Sequence, residues 1–330
     1  PIFLRDSGKL LCLSHESGED QVWLYDLSTG EKRQITHLRH GVTRFRVSRD
    51  ETQLVFEAIL WPEELQGGTA LTEMSPEEKS AWEEEIEWRP YEATELVCKM
   101  DEWYGMRKGE FEHIGVVDLA TGEARILPTG MASIYPAFSP DGRKVAFYGY
   151  PYHDAHGHAV ELELYDLATG EMTQLSEGLG IAKDHCPIFT PDGTAVITFA
   201  YQGMVSGPYR IDLADKSVTP LINEKDDEVT HGVNPLVTSR TENGASFAYA
   251  YAQESYLYFL GGRNSRTSIC RVPLLGGPVE LVQEATSDIQ GFYRMPSGDL
   301  TCAMGTLTAP PEFFVNGEQL TDHNAWLQDV

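Results

Sequence analysis

The 330-residue chain has little that ties it to a membrane, a nucleic acid or a disulfide framework. No apolar run approaches the ~18 residues that a membrane span requires. Basic residues are scarce, 25 Lys and Arg against 51 Asp and Glu, for a formal net charge of −26. That balance argues against a phosphate backbone as partner, because phosphate binding wants clustered Lys and Arg. Cysteines are few, odd in number and scattered (Cys12, Cys98, Cys186, Cys270 and Cys302), with no C-x-x-C pair. This spacing fits neither a disulfide scaffold nor a zinc ribbon, and we read the five as reduced thiols of a cytoplasmic protein. No signal peptide is visible, and Pro1 falls inside a repeat unit, so the native beginning is expected to lie upstream.

Chemistry-bearing motifs are missing too. There is no H-E-x-x-H, P-loop or dinucleotide glycine motif, so neither a metal nor a cofactor is expected. The nearest approach to a G-x-S-x-G nucleophile elbow is Gly244-Ala245-Ser246-Phe247-Ala248, where Gly244 is a repeat turn and Ser246 lies on the strand that follows. No catalytic residue is therefore assigned. His153, Asp154, His156 and His158 have the residue types of a transition-metal site, but the flanking Gly157 reads equally as a solvated loop.

What is present is repetition. Residues 162–175, L-E-L-Y-D-L-A-T-G-E-M-T-Q-L, read as a strand, a tight turn ending at Gly170, and a second strand. Near-copies stand at 22–36 and 114–128, and weaker ones at 209–222, 269–282 and 312–321. A second hairpin precedes each copy, clearest as F-S-P-D-G-R-K-V-A-F at 138–147 and F-T-P-D-G-T-A-V-I-T-F at 189–199. Its turn positions, Gly8, Glu51, Gly142, Gly193, Gly244 and Gly298, step by 43, 91, 51, 51 and 54 residues. Two hairpins make a four-stranded sheet, and a period in the forties to fifties is that of a β-propeller. The fold class expected is all-β, a single propeller domain over residues 1–330 with six legible blades.

The doubled step comes from residues 61–109, which fit neither hairpin and interrupt the second blade. Ser75-Pro76-Glu77-Glu78 is a helix start, with Ser as N-cap, Pro at the first position and Glu three residues after Ser. The helix is expected to run to about Trp88, with Trp82 and Ile86 as a docking stripe and Arg89-Pro90 ending it. Residues 61–102 carry 13 acidic and 3 basic side chains, so the insertion is an anionic patch.

The S-P-D-G and T-P-D-G turns at 139–142 and 190–193, and D-L-A-T-G-E at 118–123 and 166–171, resemble the propeller domain of prolyl oligopeptidase-family serine peptidases. The acylaminoacyl-peptidase branch is the most similar. Residues 98–117, C-K-M-D-E-W-Y-G-M-R-K-G-E-F-E-H-I-G-V-V, resemble its return from an insertion into a blade. Residues 310–324, P-P-E-F-F-V-N-G-E-Q-L-T-D-H-N, resemble its final blade strand. S-P-D-G is shared with Tol-type propellers. The resemblance implies seven or eight blades, a C-terminal α/β-hydrolase domain with a Ser-Asp-His triad that this chain does not contain, and a cap that admits only short peptides. It also implies a substrate-binding set: Glu83, Glu84 and Glu85, since some dipeptidyl peptidases of the wider family hold the substrate's free amine with paired glutamates on a helical insertion. The partners expected are short peptides and the protein's own hydrolase domain, with neither nucleic acid nor membrane. The alternative is a stand-alone propeller that presents loops to a protein partner.

Overall fold

The computed structural model describes residues 1–5, 8–90, 99–100, 105–106, 109–152, 159–181, 186–202, 205–222, 250–263, 266–283, 288–295, 297–306 and 308–326. Six antiparallel sheets follow one another along the chain and form the blades of a β-propeller. Two compact units hold three blades each, Pro1–Glu177 and Gly178–Val330.

In the first unit, the first blade spans Ile2–Phe3 to Lys32–Gln34 and the third Ala132–Phe138 to Met172–Gln174, each with its strands in sequence order. The second blade is Arg44–Val47, Gln53–Leu60, Phe111–Asp118 and Ala124–Ile126. In the second unit the blades begin at Gly180–Ile181, Ala250–Gln253 and Asp288–Arg294. The fourth sheet differs from the expected pattern by having five strands. Both Gly180–Ile181 and Ile188–Phe189 pair with Ala195–Gln202, so its first strand is split in two. The Gly244 turn and Ser246 lie outside the described residues.

Two turn chemistries explain the repeats. In D-L-A-T-G-E, Asp118 Oδ1 accepts from the amides of Ala120 and Thr121, and Asp166 Oδ1 from those of Ala168 and Thr169. The chain then turns through Gly122 and Gly170 at φ 77° and 74°, where a side chain would be strained. In S-P-D-G, the Ser139 hydroxyl donates to Asp141 Oδ1 at 2.6 Å and accepts from the Lys144 amide at 2.9 Å. Thr190 and Asp192 repeat the first of these contacts at 2.6 Å.

Alternation then sends apolar side chains into the layers between neighbouring sheets. Leu11, Val22, Leu54, Phe56 and Val117 fill the layer between the first and second blades. Val55, Ile114, Val116, Val145 and Phe147 fill that between the second and third. Phe56 lies so close to Gly115 that a Cβ there would sit 2.2 Å from its ring. In the last blade, the Glu312 carboxylate accepts from the Thr321 hydroxyl and the Asn324 amide, tying the following segment back to the sheet. The Thr321 bond, against burial and with help from the amides of Asn324 and His323, holds that carboxyl down to about 2.

Candidate functional site

The insertion leaves and re-enters the second blade at one point. Gln53–Leu60 and Phe111–Asp118 pair in register over their whole length, ending with Leu60 opposite Phe111. What lies between is added at the end of a hairpin without disturbing it.

Two helices open the insertion. The capping box puts the second, α2, at Pro76–Trp88, as the sequence predicts: Ser75 Oγ accepts from the Glu78 amide and Glu78 Oε2 from the Ser75 amide. The first, α1 at Pro62–Gly67, was not anticipated. It is short, with Pro62 in the first turn and Gly68 closing it at φ 71°.

Glu64 of α1 organises the attachment. Its buried carboxylate receives His40 Nε2 at 2.6 Å and Arg39 Nε at 3.2 Å on Oε1, and the Trp61 amide at 3.1 Å on Oε2. Leu65, Ala70 and Leu71 join the apolar layer between the first two blades. Helix α2 lies over this base. Trp82 packs against His40 with ring centroids 4.4 Å apart and edge-on to Trp61 at 5.0 Å. Lys79 reaches Glu19 at 2.6 Å, and Arg89 reaches Glu63 at 2.5 Å. Trp82 therefore docks as predicted, and Ile86 is half-buried beside it. Nothing on α2 is fully buried.

Glu83, Glu84 and Glu85 are all exposed on α2. Glu85 is shared with Arg89 at 3.7 Å, one helical turn on. The three lie within one turn of Trp82, so the contact between Trp82 and His40 fixes them to the rim of the first two blades.

A second charged arrangement, which sequence reasoning missed, links the second and third blades. Glu57 stands mid-strand opposite Arg44 and is only 5% exposed. Arg44 Nη1 lies 3.1 and 3.0 Å from its two oxygens, and the Tyr135 amide donates to Oε2 at 2.7 Å. Tyr135 has φ 57° in a strand whose register shifts between Ile134 and Ala137. Non-glycine residues seldom adopt that backbone, least of all aromatic ones. Its ring lies under the Arg44 guanidinium, 4.0 Å from centroid to central carbon. A glutamate inside the apolar run L-V-F-E-A-I-L was the one available signal, since a charge at a buried strand position calls for a partner.

On the strand that leaves the insertion, His113 is buried beside Tyr152, ring centroids 5.8 Å apart. Burial, only partly opposed by neighbouring Glu112, pushes its pKa down to about 4, so the ring is neutral near pH 7. His153, Asp154, His156 and His158 lie outside the described residues. Among the described residues no cluster of three or more His, Cys, Asp or Glu side chains suits a metal ion. No described helix is long and apolar enough to cross a membrane.

No protein-family model matches the chain. Dipeptidyl-peptidase 5 of Porphyromonas gingivalis is 26% identical over 309 residues, covering 88% of this chain and 41% of that protein. Acylaminoacyl peptidase of Pyrococcus horikoshii superposes with a TM-score of 0.63 at 15% identity, over 98% of this chain and 45% of its own. A prolyl endopeptidase gives 0.56 at 11% identity, over 97% and 42%. TolB of Acinetobacter baumannii gives 0.51 at 16%, over 94% and 61%. At these identities the solved structures establish the fold, that of the propeller domains of these peptidases and of TolB. The chain spans less than half the length of the curated relative it matches.

Proposed function

We propose that this propeller is the substrate-gating domain of a serine oligopeptidase or exopeptidase, of acylaminoacyl-peptidase or dipeptidyl-peptidase type. It admits short peptides, excludes folded polypeptides by size, and leaves acyl transfer to a hydrolase domain of the same protein. The observation that carries this reading is the likeness to dipeptidyl-peptidase 5 over 88% of the chain. The docked acidic insertion supports it. Glu83, Glu84 and Glu85 present carboxylates in a protein of net charge −26, suited to the ammonium group of a peptide. Few, scattered cysteines with no C-x-x-C pair suit a reducing compartment, and a cytoplasmic location is part of this proposal.

The test is the full reading frame that encodes these 330 residues. Its product is expected to cleave dipeptidyl or acyl-peptide reporters, to be blocked by a fluorophosphonate and to spare folded proteins. Residues 1–330 by themselves are expected to cleave none. Activity of the isolated chain that disappears in Ser246→Ala would place the nucleophile inside the propeller and overturn the reading. Glu83→Gln, Glu84→Gln and Glu85→Gln are expected to raise KM for substrates with a free N-terminus and spare N-acylated ones.

The likeness to TolB favours a second reading, a protein-interaction module without peptidase activity. A reading frame that ends without a G-x-S-x-G segment, with a captured partner protein in its place, would decide for it.

A further inference from the structure

We propose that Asn316, in the last hairpin of the last blade, is a modification site for spontaneous deamidation. Asp299 holds the reaction in check, and its product releases the final strand of that blade. The proposal goes beyond the peptide-gating reading and uses no residue of the insertion.

The turn itself calls for the reactive dipeptide. Val315 pairs with Glu318, which leaves Asn316 and Gly317 as a two-residue loop. Their φ values, 50° and 84°, are both positive, as a two-residue hairpin turn of the commonest kind demands, and Asn-Gly meets that demand best. The same dipeptide is open to cyclisation. Gly317 has no side chain to shield its amide nitrogen, so that nitrogen can approach the Asn316 carboxamide closely. Both residues are exposed, so water reaches the cyclic product.

The chemistry needs only the chain and water. The Gly317 nitrogen attacks Asn316 Cγ and gives up its proton, the Cγ–Nδ2 bond breaks, and ammonia leaves. Water then opens the cyclic imide at either carbonyl, giving aspartate or isoaspartate. Nothing is oxidised or reduced.

The folded chain opposes the first step. Asn316 Oδ1 accepts from the Leu300 amide at 2.8 Å, and Nδ2 donates to Asp299 Oδ1 at 2.8 Å. The Ser297 hydroxyl holds the other oxygen of the same carboxylate at 2.7 Å. The carboxamide is thus anchored on both sides, and ammonia cannot leave while Nδ2 stays bound to Asp299. The product reverses this contact. Aspartate sets a second carboxylate against Asp299, and like charges so close repel. Isoaspartate lengthens the main chain by a methylene, which a two-residue loop does not accommodate. Little else holds the strand that follows. Glu318–Gln319 pairs with the sheet through two residues, and beyond it Thr321 and Asn324 reach Glu312.

The experiment is incubation of the 330-residue chain in mildly alkaline buffer, folded and in guanidinium chloride. Peptide mass mapping follows Asn316, and enzymatic methylation counts isoaspartate. Mapping separates Asn316 from Asn243, which precedes Gly244 and lies outside the described residues. Asn316 is expected to convert about tenfold more slowly in the folded chain, the size of one charge-assisted hydrogen bond. Asp299→Asn keeps an acceptor but not the charge, and is expected to convert severalfold faster than wild type at an unchanged melting temperature. Asn316→Asp carries the product from the start. It is expected to speed amide exchange across residues 318–324 and to leave the melting temperature of the blades unchanged. Equal rates in the folded and unfolded chain, or a wild-type rate in Asp299→Asn, would overturn the restraint by Asp299. Exchange as slow as wild type, in Asn316→Asp and in the isolated isoaspartate form alike, would overturn the release of the strand.

Discussion

The two helices of the insertion invert the usual relation between sequence signal and structural weight. Helix α2 has a complete capping box and thirteen residues, yet buries none of them fully. Helix α1 has six residues and no hydrogen bond from its N-cap side chain, yet its Glu64 is buried, accepts from the Trp61 amide, and the segment after it fills a core layer with Ala70 and Leu71. Capping residues act on their own backbone, so they announce a helix wherever it goes. Docking depends on partners far along the chain, here His40 and Arg39, and the local sequence does not name them.

The comparison can be broken at Glu64. Glu64→Ala removes the acceptor for His40, Arg39 and the Trp61 amide and leaves Arg39 unpaired, which should cost about 3 kcal/mol in denaturant unfolding. An effect below about 1 kcal/mol would put α1 on the same footing as α2. The return strand supplies a pH test of nearly equal size. His113 has a folded pKa of about 4 against an ordinary value of 6.5, so the unfolded chain binds the extra proton in that window. Its contribution is complete above pH 6.5 and is lost as pH falls toward 4, about 3 kcal/mol at most. His113→Leu should flatten this limb of a stability-against-pH curve, and an unchanged limb would show that other groups carry it.

Smaller effects sharpen the contrast from the side of α2. Trp82→Ala deletes the aromatic contact with His40 and Trp61, worth about 1 kcal/mol beyond its area. Amide exchange should quicken across Pro76–Trp88 while the blades keep their melting temperature, since the helix is fixed at its edge. Ser75→Ala removes the cap and should cost the helix about 1 kcal/mol. Faster exchange in the first turn, with Trp82 fluorescence unchanged, is the expected signature. Last, Glu84→Gln should change stability by less than about 0.5 kcal/mol, as expected of an exposed helix position.

Most of the fold was legible because blade turns use local chemistry. The Asp118 and Asp166 carboxylates bond amides two and three residues on, and Ser139 bonds Asp141, so each turn is written in four to six consecutive residues. The split first strand of the fourth blade was not legible, because two short stretches on one edge carry too few positions to show alternation. The candidate site was legible in half. Trp82 and the glutamates follow from helical spacing. His40 looks like an ordinary loop histidine, and nothing near Tyr135 announces a positive φ, since Pro136 after it favours an extended backbone instead. Arg44 and Glu57 are thirteen residues apart and meet only because a hairpin places them opposite one another.

The pairing of Leu60 with Phe111 also sets an order of assembly. A hairpin with a turn of about four residues closes cheaply, whereas one whose ends are separated by about fifty must overcome about 2 kcal/mol more of chain entropy before its first rung forms. The first and third blades have no such detour in their hairpins. During synthesis, Gln53–Leu60 therefore waits as an unpaired edge, rich in Val, Phe, Ile and Leu, until some fifty further residues have left the ribosome. An unpaired edge of this kind is open to misassociation, and like charges nearby, 13 acidic among residues 61–102, disfavour its pairing with copies of itself.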